Sequence, residues 1–277
     1  MNARAAASHI APMLRAVGIP DATFEAELLV RSAGGLTRSE FFAGAGLSAA
    51  QERVMDSFVA RRRAREPFAY IDGKREFYGL GFEVTPEVLV PRPETEVLVE
   101  IGIEAMRAHA GATVVDVGAG SGCVGVAVAH SISELGVRGR VVATDVSAAA
   151  LAIAAKNAAS NAVELGFVRT NLASAVGHAD VVLANLPYIP SAQIAWLEPE
   201  VSRWEPRLAL DGGVDGLDLI RRLILDCARR LRPSLLAVEV GDGQAPSVSL
   251  FGERLGACVS VAKDLAGIER VVCFRWE

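Results

Sequence analysis

The order of apolar runs predicts an α/β fold. A mostly parallel sheet carries helices on both faces, ends in a C-terminal antiparallel hairpin, and follows a small N-terminal helical domain. Three observations carry this expectation. From residue 112 onward, short apolar runs rich in valine alternate with longer helical stretches. The last two runs are joined only by Lys263 to Ile268, too short for a helical crossover, so they pair as a hairpin. Residues 1–72 read as helical throughout, and Pro67 and Gly73 break that pattern.

Taken in order, Asp21 is placed to cap a helix bearing Phe24, Leu28 and Leu29 on one side. Thr37 with Glu40, and Ser48 with Gln51, match capping boxes. The second opens a helix expected to turn Val54, Phe58 and Val59 inward. The run Arg61-Arg62-Arg63-Ala64-Arg65 reads as the solvated end of that helix, or else as a contact for RNA or an acidic partner. Glu76 to Leu80 and Gly81 to Thr85 suggest a short hairpin, with a plain linker as the alternative. Pro93 suits a helix first turn and Glu94 and Glu96 its positive end, so a helix runs to about His109. Strands are then expected at 113–117, 140–144, 165–169, 180–184, 234–240, 256–262 and 269–275, and helices at 122–135, 147–160, 215–232 and 243–254. The resulting domains are 1–72 (helical), 73–92 (hairpin linker) and 93–277 (α/β).

Composition narrows the function classes. Of 277 residues, 51% are apolar, enough for a sizeable core, and the net charge of −5 argues against nonspecific nucleic-acid binding as the main activity. Through residue 85 there are 11 basic and 10 acidic residues; the remainder holds 17 and 23, a shift in charge that matches the expected shift in structure. The four cysteines, Cys123, Cys227, Cys258 and Cys273, form no C-x-x-C pair and no ligand spacing with the histidines, which argues against a metal site. The start of the chain has no long apolar stretch of the signal-peptide type, and no apolar run approaches membrane-spanning length. The expectation is a reduced, cytoplasmic protein.

Two motifs carry chemistry. Val114-Val115-Asp116-Val117-Gly118-Ala119-Gly120-Ser121-Gly122 is a strand running into a glycine-rich turn and a helix start. Such a turn lets a cofactor approach the backbone and meet free N–H groups. Asp145, at the end of the next strand, can accept hydrogen bonds from both ribose hydroxyls. The glycines also fit the dinucleotide pattern G-x-G-x-x-G, but Asp116 would sit where a dinucleotide places its pyrophosphate. A carboxylate there repels phosphate and suits a cation, which favours S-adenosylmethionine over NAD. A glycine turn serving only helix–strand packing is the bland alternative.

The second motif is Asn185-Leu186-Pro187-Tyr188, after the apolar run Val181 to Ala184. The Asn185 side-chain oxygen and the Leu186 carbonyl offer two acceptors to one NH2 group, and Tyr188 offers a flat face. Its plain structural reading is a strand-to-loop turn. Asp116, Gly118 to Gly122, Asp145 and Asn185 all fall at expected strand carboxyl ends, the edge where open α/β sheets bind ligands.

These stretches, with Glu66 to Gly73, Glu76 to Gly79, Val90-Pro91-Arg92-Pro93-Glu94-Thr95-Glu96, Glu205 to Leu210, Gly212-Gly213, Asp215 to Leu217 and Asp264 to Gly267, resemble the release-factor glutamine methyltransferases (the HemK/PrmC family) over most of the chain. The resemblance implies a class I S-adenosylmethionine-dependent methyltransferase domain of Rossmann-like fold behind a helical substrate-recognition domain. It implies methylation of the Gln side-chain nitrogen in the Gly-Gly-Gln loop of class I peptide chain release factors, by a monomer with no stable nucleic-acid or membrane partner. Asn185, Leu186, Pro187 and Tyr188 become the catalytic turn. Asp116, Gly118, Ala119, Gly120, Ser121, Gly122, Asp145, Asn171, Leu172 and Asn185 become the cofactor contacts, Asn171 toward adenine. Arg92 and Thr95 fall near the cofactor or the path of the peptide, or serve packing. Glu239 reads as structural.

Two departures stand out. Leu186 replaces the first proline of the family's Asn-Pro-Pro-Tyr, which keeps the carbonyl and implies a looser turn. Thr170-Asn171-Leu172 stands where the family often has an acid. The rival readings are an adenine-N6 methyltransferase on rRNA or DNA, a glutamine methyltransferase for another protein, and a non-catalytic binding module.

Overall fold

A computed structural model describes residues 1–276, which form two compact units: 1–74 with 198–204, and 75–197 with 205–276. In the first unit, helices span Ala3–Arg15, Ala22–Gly34, Arg38–Phe42, Ala49–Arg63 and Phe68–Asp72, and the segment 198–204 contributes the short helix Pro199–Trp204. Both capping boxes form. Thr37 N donates to Glu40 Oε2 at 2.8 Å, and Ser48 N to Gln51 Oε1 at 2.9 Å, while each cap hydroxyl accepts the reciprocal N–H. Asp21 holds the cap position without a side-chain hydrogen bond.

Three expectations for this unit need correction. Phe24 is exposed and Leu28 half-buried; Ala22, Ala26, Leu29 and Val30 form the inward face. Val54 is likewise exposed, with Met55 and Val59 buried in its place. The arginine run is not a solvated face. Arg62 is only 4% exposed and donates to Glu25 and Glu200, and Arg65 donates to Glu200 and to the Val17 carbonyl. Arg61 holds Glu66 at 2.8 Å, leaving Arg63 as the exposed arginine of the run. These guanidiniums tie the unit together from inside, because a buried cation is tolerated only when paired.

Next in the chain comes a hairpin of β1 (Lys74–Phe77) and β2 (Leu80–Glu83), which begins two residues earlier than expected and lies, from Arg75 on, in the second unit. Its turn residues Tyr78 and Gly79 both take positive φ, +52° and +71°, the conformation that matches strand twist in a two-residue hairpin. The helix Glu96–Ala108 leads into a seven-stranded sheet of β3 (Thr113–Val117), β4 (Arg140–Asp145), β5 (Gly166–Arg169), β6 (Val181–Ala184), β7 (Leu235–Glu239), β8 (Cys258–Lys263) and β9 (Glu269–Arg275). The order is β5-β4-β3-β6-β7-β9-β8. β3 to β7 are parallel; β9 runs antiparallel between β7 and β8, as the short Lys263–Ile268 link requires. β6 and β7 are buried at every residue, which explains their unbroken apolar sequence. One core cluster covers each face: Leu98, Met106 and Val126 on one side, Ile220, Leu223 and Phe274 on the other.

The helix expected at 215–232 is shorter, Asp218–Asp226, and finishes in a π turn over Cys227–Leu231. Between β6 and that helix the chain forms 3-10 turns at Ile194–Trp196 and Arg207–Ala209, which lack any helical period and were not expected. Cys123, Cys227 and Cys273 are buried and Cys258 is exposed. Among the described residues no His, Cys, Asp and Glu group could hold a metal ion, and no helix is long and apolar enough to cross a membrane.

Candidate active site

The strand order reverses between β3 and β6, and a crevice opens at the carboxyl ends there. Register fixes what faces it. Val117 pairs with Thr144 on one side and Ala184 on the other, and Ala184 pairs with Val238. The next residue in each strand is Gly118, Asp145, Asn185 or Glu239, so all four lie on one edge.

A mostly apolar cavity of about 260 Å³ occupies this edge. Its lining includes Asp116, Gly118, Ala119, Gly120, Ser121, Asp145, Asn171, Leu172, Asn185, Leu186 and Pro187. Gly122 and Tyr188 are not part of the lining. Gly122 caps the helix Cys123–Glu134 with φ +79° and packs on Ala154. Tyr188 lies against Gly241 and the β7 side of the core. The lining also takes in Arg92, Thr95, Pro206 and Leu208, brought from motifs far apart in sequence.

The glycine turn is held from several sides. Asp145 Oδ2 accepts from Gly120 N at 2.9 Å and its Oδ1 from Ser147 N at 2.8 Å. Buried Asn157 donates to the Ser121 carbonyl at 2.9 Å and also bonds both backbone groups of Glu83, which sequence reasoning did not foresee. Gly118 takes φ +76°, and a Cβ there would stand 2.9 Å from Leu186 Cδ2. Leu186 is accordingly 3% exposed: the side chain that replaces a proline fills space over Gly118, so packing offsets the lost ring stiffness. Leu172 holds φ +54°, a conformation unfavourable for a branched side chain, and its carbonyl accepts from Thr144 Oγ1 at 3.2 Å.

Electrostatics distinguish the acids. Burial pushes the Asp116 carboxyl up to about 7, nearby Asp145 adds to the rise, and the Gly125 N–H bond at 2.9 Å opposes it. Burial likewise pushes Glu239 up to about 7. Burial also lifts the Cys123 thiol and the Tyr188 hydroxyl to about 12, so neither is a nucleophile or base near neutrality. Arg92 Nη2 donates to both oxygens of buried Glu205 at 2.7 Å, joining the Val90–Glu96 and Glu205–Leu210 motifs. Burial still holds the Glu205 carboxyl above its ordinary range.

The turn after β6 is clamped as well. Ile189 bridges to Asp211, with Gly212 N donating to the Ile189 carbonyl at 2.9 Å. Gln244 Nε2 donates to the Tyr188 carbonyl at 2.8 Å. Gly216, at φ +81°, passes so close that any Cβ would run into that same carbonyl oxygen. Asn185 Nδ2 donates to Thr95 Oγ1 at 3.0 Å. With its nitrogen so engaged, the amide oxygen accepts no hydrogen bond among the described residues, and Asn185 lines the crevice.

The mixed sheet, its glycine turn after β3 and the acid ending β4 define a class I S-adenosylmethionine-dependent methyltransferase. Residues 95–196 match the family model described as "Methyltransferase small domain", and residues 5–73 match "PrmC N-terminal domain". The chain is 40% identical to the release factor glutamine methyltransferase of Geobacter sulfurreducens, across 92% of this chain and 90% of that one. It is 40% identical to the namesake from Gloeobacter violaceus, across 91% and 90%. The chain belongs to the release factor glutamine methyltransferase family. A solved structure of the Thermus thermophilus 16S rRNA N2 G1207 methyltransferase with AdoMet and guanosine shares the fold, with a TM-score of 0.52, 17% identity, and coverage of 74% of this chain and 50% of that one.

Proposed function

We propose that this protein transfers a methyl group from S-adenosylmethionine to the side-chain amide nitrogen of the Gln in the Gly-Gly-Gln motif of class I peptide chain release factors. The observation that carries this reading is the Asn185 amide, its nitrogen tethered to Thr95 and its oxygen accepting no hydrogen bond among the described residues, at the mouth of an apolar cavity. The family relationship names the substrate class.

The residues present fit the cofactor. A Cβ built on Gly120 would meet nothing within 4 Å, so the turn presents an open floor. Asp145 keeps lone pairs on both oxygens beyond its two backbone bonds, enough for two ribose hydroxyls. Asp116 supplies a buried carboxyl for a cationic group, and Asn171 and Leu172 wall the adenine side. When bound, S-adenosylmethionine supplies an electrophilic methyl group on a sulfonium.

A primary amide nitrogen is a poor nucleophile because its lone pair is delocalised. Asn185 Oδ1 and the Leu186 carbonyl accept its two N–H groups and aim the lone pair into the cavity. Pro187 stiffens the turn, and Tyr188 backs it from the β7 side. Those acceptors also stabilise the positive charge that develops on nitrogen. Orientation supplies most of the acceleration. The helical unit grips the release factor away from the reactive loop, and that remote binding supports the step. The reading is of a cytoplasmic monomer, and the net charge of −5 argues against a stable nucleic-acid partner. Asn185→Ala should lower kcat by about 10² to 10³ with cofactor affinity retained. Near-normal turnover of release factor by that variant would refute the assignment.

A further inference from the structure

Glu239 ends β7 one strand from Asn185 and is 2% exposed, yet among the described residues its Oε2 has no hydrogen-bond partner. An orphaned carboxylate oxygen at that depth is costly unless it serves a purpose. Burial is the largest influence on this carboxyl and disfavours its ionised form; the Thr95 hydroxyl, Arg270 and the Tyr188 hydroxyl favour that form, and Glu94 opposes it. Thr95 is itself 2% exposed and accepts from Asn185 Nδ2 at 3.0 Å.

A threonine hydroxyl has a single proton. An asparagine amide, by contrast, can meet that hydroxyl with either end. If the proton points at Asn185, the amide turns its oxygen inward and shows a donor to the crevice, which would repel a substrate NH2. If the proton points elsewhere, Thr95 can only accept, and the amide must present nitrogen inward and oxygen outward. We infer that Glu239 and Thr95 are positioning residues that set the orientation of Asn185: in its ionised form the buried Glu239 carboxyl accepts a hydrogen bond from the Thr95 hydroxyl, which locks Asn185 with Nδ2 inward and Oδ1 facing the substrate. The acceptor character of the catalytic turn thus originates one strand away, on β7. The kcat consequences rest on the amide-methylation reading above; the orientation itself does not.

The test uses full-length protein labelled with 15N-asparagine, the Asn185 side-chain signal being assigned by its loss in Asn185→Ala. In the wild type the Nδ2 protons exchange more slowly than those of a free asparagine. Thr95→Val and Glu239→Leu shift that signal and speed its exchange. Both lower kcat on release factor about 10-fold to 100-fold, the scale of a misplaced reacting group, with S-adenosylmethionine affinity and Tm near wild type. Thr95→Ser and Glu239→Gln keep a hydroxyl and an acceptor respectively and stay within a few-fold of wild type. The inference is overturned if wild-type Asn185 exchanges like a free side chain, or if Thr95→Ser is damaged as badly as Thr95→Val. An unmoved Asn185 signal in Glu239→Leu overturns it too. If Thr95→Val or Glu239→Leu fails to fold, the wild-type exchange rate and the two conservative variants decide. A wild-type enzyme inactive on release factor would instead refute the proposed function, and the Asn185 exchange rate would still decide this inference.

Discussion

Replacing Asp116 with asparagine should abolish the pH dependence of S-adenosylmethionine binding. Burial sets the carboxyl of the ligand-free protein at about 7, so it is half protonated at neutrality. The sulfonium and amino group of the ligand favour the ionised form. Binding therefore weakens as pH falls through that value, by about tenfold, or ~1.4 kcal/mol, per pH unit. Between about pH 8 and about pH 5 the apparent Kd should rise by roughly 90-fold. The Asp116→Asn side chain keeps an oxygen for the Gly125 N–H but has no charge to lose, so the variant should bind weakly and evenly across the range. Adenosine, which lacks both cationic centres, should show no such loss in the wild type. Calorimetric titration at several pH values measures all three. A wild-type Kd that moves less than about threefold over this range, in parallel with the variant, would refute the reasoning. For folding the sign is opposite. The folded state keeps a proton that the unfolded chain has lost, so the ligand-free protein gains stability as pH falls from about 7 toward the ordinary aspartate range.

Two further outcomes follow from the clamp around the catalytic turn. Gly216→Ala forces a Cβ against the Tyr188 carbonyl at a positive φ. Because Gly216 does not line the cavity, kcat should fall by about tenfold or more while cofactor affinity holds, as steady-state kinetics and titration together would record. Arg92→Ala leaves buried Glu205 without its cation and should cost roughly 1–3 kcal/mol of stability at neutral pH. Part of that loss should return in acid, where Glu205 takes up a proton, so thermal melts at two pH values check the assignment.

What the sequence disclosed, and what it withheld, follows from the range of the forces involved. Capping boxes are local, and Thr37 with Glu40 and Ser48 with Gln51 form as their spacing implies. Strand existence and the antiparallel C-terminal pair were legible because apolar runs and a link too short for a crossover are also local facts. Helix facing was not: Phe24 and Val54 look inward by period, but the partners that define inward lie elsewhere in the chain. The arginine run misled for the same reason, since Glu200 stands 138 residues from Arg62. At the site, the strand-end residues Asp116, Asp145 and Asn185 were readable from motif and position. The Thr95–Asn185 bond joins residues 90 apart, and the Arg92–Glu205 pair 113 apart, so neither has a spacing signature. Glu239 offered one signal, an acid at the end of an apolar strand. The segment from 190 to 217 folds as 3-10 turns and the short helix Pro199–Trp204, too brief to show a period, and was visible only as motif letters.

The most direct test of the central claim is mass spectrometry of purified class I release factor after incubation with this protein and S-adenosylmethionine. One added methyl group is expected, on the Gln of the Gly-Gly-Gln motif, with transfer by Asn185→Ala slower by about 10² to 10³. An unmodified Gln under conditions where cofactor binding is confirmed would contradict it.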